Sequence, residues 1–261
     1  MNPALLVSKT GLQAQEAKLQ AIAHNLANVN TVGFKRNSAA FEDQFYEVAR
    51  RPGSNSQGDN RVPAGVQLGT GVRLVSTHKQ FTDGSMQNTS QQLDVAIVGN
   101  GFLQVLLSNG ETAYTRAGQL QVDNEGRLVN ANGLVVQPEI TFPAETKSVS
   151  ISATGRVSAM VGAESTPQEL GALQLASFVN PAGLVAQGEN LYLVSQASGD
   201  AVLGEPGEAG FGTLRQFALE SSNVQAVEEM VDMISAQRSY EMNTKVLSAA
   251  DDMMRNLAQA S

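Results

Sequence analysis

Two histidines are the residues of this chain best suited to act as a general base or a metal ligand. His24 lies in a segment with helical periodicity and His78 in a segment with alternating polarity, and neither has a second histidine nearby in the sequence. The chain contains no cysteine, which excludes disulfides, thiolate catalysis and cysteine-ligated zinc. No zinc-protease, catalytic-triad or nucleotide-binding motif is present. We therefore interpret both histidines as ordinary surface or core residues.

Four short segments contain glycine or acidic residues at spacings that binding sites use. Residues 69–71 (Gly-Thr-Gly) and 99–101 (Gly-Asn-Gly) lie between strand-like segments, so they are predicted turns and not phosphate-binding loops. Residues 123–126 lack the remaining ligands and the flanking helices of a calcium loop. Asp251 and Asp252 are adjacent on a predicted helix, where they point about 100° apart. The sequence thus predicts no catalytic, metal or cofactor site, and a protein that is not an enzyme.

Composition indicates a globular protein with many turns. Hydrophobic residues make up 42% of the 261 positions, aromatic residues 5%, and there are 24 glycines. A net charge of −8 argues against non-specific binding to nucleic acid. The chain shows neither an apolar run of transmembrane length nor a secretory signal. Taken alone, these absences favour the cytoplasm, an inference that does not hold for a protein with a dedicated exporter.

The N-terminal segment, up to about residue 28, has the pattern of a helix with a packing seam. Leu5, Leu12, Leu19 and Leu26 recur every seven residues, which keeps one stripe of the helix facing a partner. The turn-forming residues 28–33 are predicted to end this helix.

The C-terminal segment is predicted to be a second long helix. Ser222 and Gln225 have the spacing of a capping box at its start. The apolar stripe that follows drifts around the helix near residue 237, which suits contact with several neighbours better than a single dimer seam. The positions of this stripe that we expect to pack are Val231, Ile234, Tyr240, Leu247 and Met254.

Charge favours pairing of the two terminal helices. Residues 1–36 carry an excess of basic side chains and residues 220–261 an excess of acidic ones. Opposite charges on partner helices favour association and help to set its orientation. We predict that these two segments form one helical domain, paired as a coiled coil. The alternative is two solvated helix faces with incidental charge.

The region between the helices has the pattern of β structure. Residues 37–70 are largely polar and contain several Gly and Pro residues, so we predict an extended linker. Residues 71–219 contain short alternating segments separated by Asn-Gly turns, a pattern that predicts antiparallel hairpins. The predicted fold class is α+β, with an all-β domain inserted between two long helices.

Five segments, in order along the chain, resemble the flagellar rod and hook family. They are residues 23–35, 94–102, 114–129, 221–224 and 237–241. The first resembles the N-terminal signature of the family, with His24 where asparagine is commoner. The next two resemble the β domain, and the last two resemble the C-terminal signature. Because the matches extend from the first helix to the last, the resemblance covers the whole chain.

Within this family, the overall length and residues 41–71 are most similar to subunits of the distal rod. The resemblance implies a structural basal-body protein that assembles into a helical tube, which transmits torque to the hook and encloses the export channel. It implies that the terminal helices form the inner tube. It also implies export through the flagellar type III apparatus without a cleaved signal peptide, and a location crossing the periplasm.

The implied partners are further copies of the chain, other rod proteins, the hook protein and the surrounding ring proteins. Neither nucleic acid nor membrane insertion is expected. The residues expected to pack during assembly are Leu5, Leu12, Leu19, Leu26, Val231, Ile234, Tyr240, Leu247 and Met254. The residues expected to shape the turn after the first helix are Asn25, Asn28, Gly33 and Phe34.

Two alternatives to a distal-rod subunit stay open from the sequence. One is a proximal rod or hook-type subunit of the same family. The other, from a different functional class, is a surface- or glycan-binding β module on a helical oligomerisation stalk, for which Tyr114 and Tyr192 are candidate stacking platforms.

Overall fold

The computed structural model describes residues 3–52, 63–162 and 166–260. Two long helices, α1 (Pro3–Ala27) and α2 (Ala226–Ala260), flank a region of antiparallel strands. The predicted α+β class with an inserted β region is thereby confirmed. The chain divides into two compact units. The helical unit contains the described residues of 3–26, 37–78 and 225–260, and the β unit contains those of 27–36 and 79–224.

Helix α1 ends where the sequence changes from helix-forming to turn-forming residues. The backbone N–H of Thr31 donates to the carbonyl of Asn28 at 3.2 Å, and the Thr31 hydroxyl donates to the Asn28 side chain at 3.1 Å. Gly33 then adopts φ +69°, a left-handed conformation that favours glycine.

Helix α2 begins later than the sequence indicates. The Ser222 hydroxyl accepts a hydrogen bond from the N–H of Val224 at 3.2 Å, and the first helical residue is Ala226. The predicted capping box at Ser222 is therefore wrong. The first turn carries Glu228 and Glu229, whose negative charges interact favourably with the helix N-terminus.

The helical unit also contains three strands from the segment that we predicted as a linker and a fourth from the start of the predicted β domain. Their bounds are β1 (Asn37–Asp43), β2 (Tyr46–Arg50), β3 (Val66–Gly69) and β4 (Val72–Lys79). β1 pairs with β4, and β2 pairs antiparallel with β3. The sequence divides the chain near residues 36, 70 and 219, whereas these pairings extend the helical unit to residue 78.

The β unit contains one large sheet and several smaller pairings. Its strands are β5 (Met86–Asn88), β6 (Val95–Val98), β7 (Phe102–Leu106), β8 (Thr112–Thr115), β9 (Leu120–Val122), β10 (Leu128–Asn130), β11 (Val135–Gln137), β12 (Thr146–Ile151), β13 (Arg156–Val161), β14 (Gln168–Ala172), β15 (Leu175–Ser177), β16 (Val185–Gly188), β17 (Leu191–Leu193), β18 (Val202–Gly204), β19 (Thr213–Gln216) and β20 (Ala218–Glu220). The large sheet has the order β16-β17-β8-β7-β11-β10-β9, with β15 joining β7 to β18. The smaller groups are β12-β13-β14, β19-β6 and β20-β5.

Two apolar clusters fill the β unit. The larger combines side chains of the nine-stranded sheet with those of β6, β13 and β19, including the fully buried Ile97, Leu103 and Val157. The smaller is aromatic: Tyr114 and Phe178 meet edge to face with ring centroids 4.9 Å apart. In the part of the chain that the structure describes, neither helix is apolar enough over a sufficient length to cross a membrane.

Leu103→Ala should destabilise the β unit far more than Leu106→Ala, although both residues lie on β7. Leu103 is fully buried, so its truncation leaves a cavity and should cost about 2–5 kcal/mol of unfolding free energy. Leu106 is 38% exposed, and its truncation should cost less than about 1 kcal/mol. Urea unfolding followed by circular dichroism measures both values. Equal losses would mean that Leu103 is not part of the core.

Candidate assembly site

Two contacts within the helical unit define how α1 and α2 are arranged. The Asn25 side-chain amide lies 3.3 Å from both carboxylate oxygens of Glu229. A Cβ atom added at Gly11 would lie 3.1 Å from the side-chain nitrogen of Asn243. The same number of residues separates the two contacts on each helix, in opposite chain directions. The helices therefore run antiparallel between these points.

The buried face of α2 is built from small and polar residues. Glu229, Ala236 and Ala250 are each 1% exposed, and the partly buried Asn243 continues their seven-residue spacing. Among the described side chains of α1, the buried ones are Ser8, Ala14, Ile22 and Asn25, of which Ile22 is the one large apolar residue. Small side chains allow close approach of two helices, but they bury little apolar surface. Hydrophobic burial along this face is therefore modest.

One exposed face of α2 carries large apolar side chains. Its members are Val227, Val231, Ile234, Met242, Val246 and Met253, which are between 50 and 75% exposed. Helical periodicity places these residues in one stripe about 120° wide, in which Val227, Val231 and Ile234 point away from Ala236, whereas Val246 and Met253 lie beside Ala250. A helix that covers its small and polar side and leaves its apolar side to solvent has the reverse of the usual arrangement. Exposed apolar stripes of this kind mark interaction surfaces.

The predicted packing residues differ in their exposure. Leu5, Leu12, Leu19 and Leu26 on α1 are partly buried, as is Leu247 on α2. Val231, Ile234, Tyr240 and Met254 on α2 are exposed. The structure thus places Val231 and Ile234 on the exposed apolar face, while the α1 leucines are half-covered within the chain.

Asn25 connects three parts of the helical unit. Its side-chain oxygen accepts the N–H of Asn37 at 2.8 Å, and its side-chain nitrogen donates to the Asn37 carbonyl at 2.9 Å. The same nitrogen faces the Glu229 carboxylate. Because Asn25 is 1% exposed, these interactions are shielded from water. They hold the end of α1 against the start of β1 and the first turns of α2.

A cluster of charged side chains lies buried in the β unit. The Lys35 ammonium is 2.6 Å from a Glu220 carboxylate oxygen, and the Arg116 guanidinium is 3.2 Å from the same oxygen. Lys35 and Glu220 side chains are fully buried, and Arg116 is 2% exposed. Asp83, at the more exposed end of the cluster, lies 3.0 Å from Arg116. The N–H of Gly84 also donates to Glu220, at 2.8 Å.

Backbone carbonyls also accept hydrogen bonds from the side chains of Lys35 and Arg116. Lys35 donates to the carbonyl of Thr82 at 2.7 Å. Arg116 donates to the carbonyl of Gly101 at 3.0 Å and to that of Gly99. Burial lowers the pKa of Lys35, the nearby Arg116 cation lowers it further, and the Glu220 carboxylate opposes both effects. Such full hydrogen bonding is what allows charges to remain buried.

Two of the predicted turn residues, Gly33 and Phe34, lie in the β unit with this cluster. The N–H of Gly33 donates to the backbone carbonyl of Glu220 at 2.8 Å, and a Cβ atom at Gly33 would lie 2.8 Å from the Ala117 nitrogen. Phe34 is buried, with the Lys79 ammonium 4.8 Å from its ring centroid. Only glycine fits at position 33, because both its backbone angle and the available space exclude a side chain.

Asn223, which precedes α2, joins two segments of the β unit through its side chain, as Asn25 does in the helical unit. Its side-chain oxygen accepts the N–H of Arg36 at 2.7 Å, and its amide nitrogen donates to the Gln80 carbonyl at 2.8 Å. The same nitrogen reaches the Thr82 hydroxyl at 2.9 Å. One side chain thereby joins the segment after α1 to the segment that follows β4.

Sequence reasoning did not identify Lys35, Arg116, Glu220 or Asn223 as interacting residues. Lys35, Arg116 and Asn223 lie inside segments that carry the family resemblance, and Glu220 directly precedes one of them. Their position in or beside these segments was the available signal that they matter. A single sequence does not indicate which of these residues contact one another. Across the described residues, no cluster of three or more His, Asp or Glu side chains is placed to hold a metal ion.

Comparison with known proteins gives matches at both ends and in the middle of the chain. Residues 5–35 match the flagella basal body rod protein family, residues 96–159 match the D1 domain of flagellar hook protein FlgE/F/G, and residues 215–260 match the C-terminal region of the flagellar basal body rod FlgEFG proteins. The matched segments contain α1, part of the β unit and α2. Together with the fold, they define a flagellar axial protein.

Individual relatives agree with this assignment along the full chain. The flagellar basal-body rod protein FlgG of Buchnera aphidicola subsp. Baizongia pistaciae is 47% identical over 258 residues, which cover 99% of each chain. The protein of the same description from Caulobacter vibrioides is 46% identical over 98% of each chain, and that from Bacillus subtilis is 35% identical over 95% of each. The chain belongs to the flagellar basal-body rod protein family, and the resemblance seen in its sequence is confirmed.

Glu220→Gln should strongly destabilise the β unit. The substitution removes the carboxylate charge that Lys35 and Arg116 share and leaves Asp83 as a charged partner of Arg116. It should cost about 3–5 kcal/mol of unfolding free energy. The control is Glu42→Gln, because Glu42 pairs with Arg73 at 3.3 Å with both side chains more than half exposed. That change should cost less than about 1 kcal/mol. Urea unfolding of the two variants distinguishes these values, and equal stability would contradict a structural role for the buried cluster.

Asn25→Asp should destabilise the helical unit. It places a second carboxylate beside that of Glu229 and removes the donor to the Asn37 carbonyl, for a cost of about 2–4 kcal/mol. Asn30→Asp is the matched control, because Asn30 is exposed in the turn after α1. Thermal unfolding followed by helical circular dichroism is the measurement. If both variants melt at the same temperature, the Asn25 interactions do not stabilise the unit.

Proposed function

We propose that this protein is a structural subunit of the distal rod of the bacterial flagellum. Many copies assemble into a helical tube that transmits torque to the hook and encloses the export channel. The subunit is not an enzyme, and it acts by burying surface between copies without a chemical step. The full-length similarity to proteins described as flagellar basal-body rod protein FlgG supports the distal position over a proximal rod or hook-type subunit.

The exposed apolar face of α2 is the observation that carries this proposal. The six apolar side chains of this face are at least half exposed in the single chain. An apolar stripe along a long helix is costly in water and is stabilised when another surface covers it. Further copies of the chain are the occupant that fits best, because one surface repeated from copy to copy with a heterologous contact generates an open helical polymer.

Pairing of α1 with α2 as a coiled coil forms the building block of the inner tube in this proposal. The antiparallel register between Asn25–Glu229 and Gly11–Asn243 supports it, as does the seven-residue spacing of Glu229, Ala236 and Ala250. The half-buried leucines of α1 complete their burial against neighbouring copies together with Val231, Ile234, Tyr240, Leu247 and Met254.

The remaining parts of the chain contact other components of the basal body. In the proposal, residues 1–36 and 220–261 form the inner tube, residues 37–70 contact neighbouring subunits, and residues 71–219 lie on the outside. The hydrophobic exposure of the β2–β3 hairpin supports a contact role, since Tyr46, Val48 and Leu68 are each about half exposed. Other rod proteins, the hook protein and the ring proteins of the basal body are the remaining partners. The assembled rod crosses the periplasm.

A glycan-binding module is the less favoured function. Its candidate stacking residues, Tyr114 and Tyr192, are 5% and 1% exposed, so neither ring is available to a sugar at the surface. Both belong to the aromatic cluster, where Tyr192 lies 5.3 Å from Phe81 between ring centroids. Burial also raises the pKa of the Tyr192 hydroxyl. These tyrosines stabilise the β unit.

Val231→Asp should prevent assembly and leave the subunit folded. It places a charge on the exposed apolar face. A loss of about 2 kcal/mol in the binding free energy of each contact between copies would raise the concentration needed for polymerisation more than about tenfold. The measurements are electron microscopy at rising protein concentration and swimming in soft agar, using a strain that lacks its own copy.

The matched control is Val179→Asp, which makes the same substitution at a valine of the β unit that is 90% exposed. This variant should assemble and support swimming as the original chain does. Normal swimming of the Val231→Asp strain, with the variant present at the original level, would contradict assembly through this face of α2.

A further inference from the structure

Sulfur in this chain is concentrated on α2. The chain has eight methionines and no cysteine. The methionines of α2 are Met230, Met233, Met242, Met253 and Met254. Met242 is 60% exposed and Met253 is 56% exposed, which makes them the most exposed methionines of the described residues. Oxidants that react with sulfur therefore meet thioethers on this helix first.

Met242 and Met253 lie on the same face of α2. They are separated by close to three helical turns, so their side chains project in nearly the same direction. Val231, Ile234 and Val246 belong to that face as well. Both thioethers are thus part of the apolar surface through which the chain is proposed to assemble.

Oxidation would reverse the chemical character of these two positions. The thioether sulfur attacks one oxygen of hydrogen peroxide, and the O–O bond breaks. The hydroxide that is released takes the proton of the hydroxyl transferred to sulfur and leaves as water. Sulfur loses two electrons, the peroxide gains them, and the product is methionine sulfoxide. An apolar, flexible side chain becomes a polar one. Without a cysteine, the chain has no thiol to react in its place.

We propose that Met242 and Met253 are peroxide-oxidation sites that control whether the subunit can assemble. A sulfoxide at either site has to lose its hydration when the apolar face of α2 is covered, which opposes the contact. Assembly in turn buries the thioethers and protects them from oxidant. The inference rests on the proposed function, because it requires this face to be an assembly surface.

The first test follows the oxidation itself. The purified full-length chain is treated with hydrogen peroxide, and sulfoxide at each methionine is measured over time by peptide mass spectrometry. Met242 and Met253 should oxidise several-fold faster than Met86 and Met233, which are partly buried. Equal rates at all four positions would overturn the assignment of Met242 and Met253 as selective sites.

The second test measures the consequence in cells. Met242→Gln and Met253→Gln together imitate the polarity of two sulfoxides, and this double variant should form swimming halos at least several-fold smaller than the original chain does. Met160→Gln is the matched control, because Met160 is 43% exposed on β13 of the β unit, outside the α2 face. That control should swim normally.

A third variant separates polarity from loss of methionine. Met242→Leu with Met253→Leu keeps the face apolar and removes both oxidisable atoms. After one peroxide dose its swimming halo, relative to its own untreated halo, should shrink several-fold less than that of the original strain. Normal swimming by the glutamine double variant would overturn this inference. If Val231→Asp still abolished swimming, the proposed function would stand, whereas normal swimming by Val231→Asp as well would refute the assembly face itself.

Discussion

The buried carboxylate of Glu220 holds together parts of the β unit that are far apart in the sequence. It accepts hydrogen bonds from Lys35, which follows α1, from Arg116, which follows β8, and from the backbone of Gly84. Removing three charged groups from water is costly, and the cost is offset only while each keeps its partners. The cluster therefore requires the segment after α1 and the segment before α2 to lie side by side. The backbone N–H of Gly33 donates to the Glu220 carbonyl, and the side-chain oxygen of Asn223 accepts the N–H of Arg36; both hydrogen bonds hold the same arrangement.

The helical unit is held together by different interactions. Its buried seam joins small residues and a polar network, with Ala236 and Ala250 on α2 and the Asn25–Glu229 contact at one end. That seam gives precise register and close approach, but it buries little apolar area. Larger apolar side chains of α2 are left exposed in the single chain. In the proposed assembly, contacts between copies would cover them.

The division of roles between the two units accounts for the distribution of residue types. The β unit contains a conventional apolar core, with Leu103, Val105 and Leu175 fully buried in one sheet. Its aromatic cluster includes the tyrosines that a binding module would need at the surface. The helices contain no aromatic core of their own, and Tyr240 on α2 is exposed. The buried apolar clusters lie in the β unit, while α2 exposes apolar side chains in the single chain.

Much of the local structure could be predicted from the sequence, because it depends on short-range patterns. The seven-residue leucine spacing and the turn at residues 28–33 predicted α1 to within one residue of its end. Asn-Gly pairs marked hairpin turns, and the lack of cysteine and of clustered histidines excluded most catalytic chemistry. The start of α2 was misplaced, because Ser222 uses its hydroxyl in a local turn with Val224. Spacing alone cannot distinguish that turn from a helix cap.

What the sequence determined by itself was the order and type of the elements, since periodicity and turn residues act over a few positions. What only the tertiary structure decided was which distant residues meet. The contact of Lys35 with Glu220 spans 185 positions, and that of Asn25 with Glu229 spans 204. The tertiary structure also decided which face of α2 is covered, because both faces contain seven-residue repeats. The covered face is the one whose side chains are small enough for close approach, and this leaves the apolar face outside.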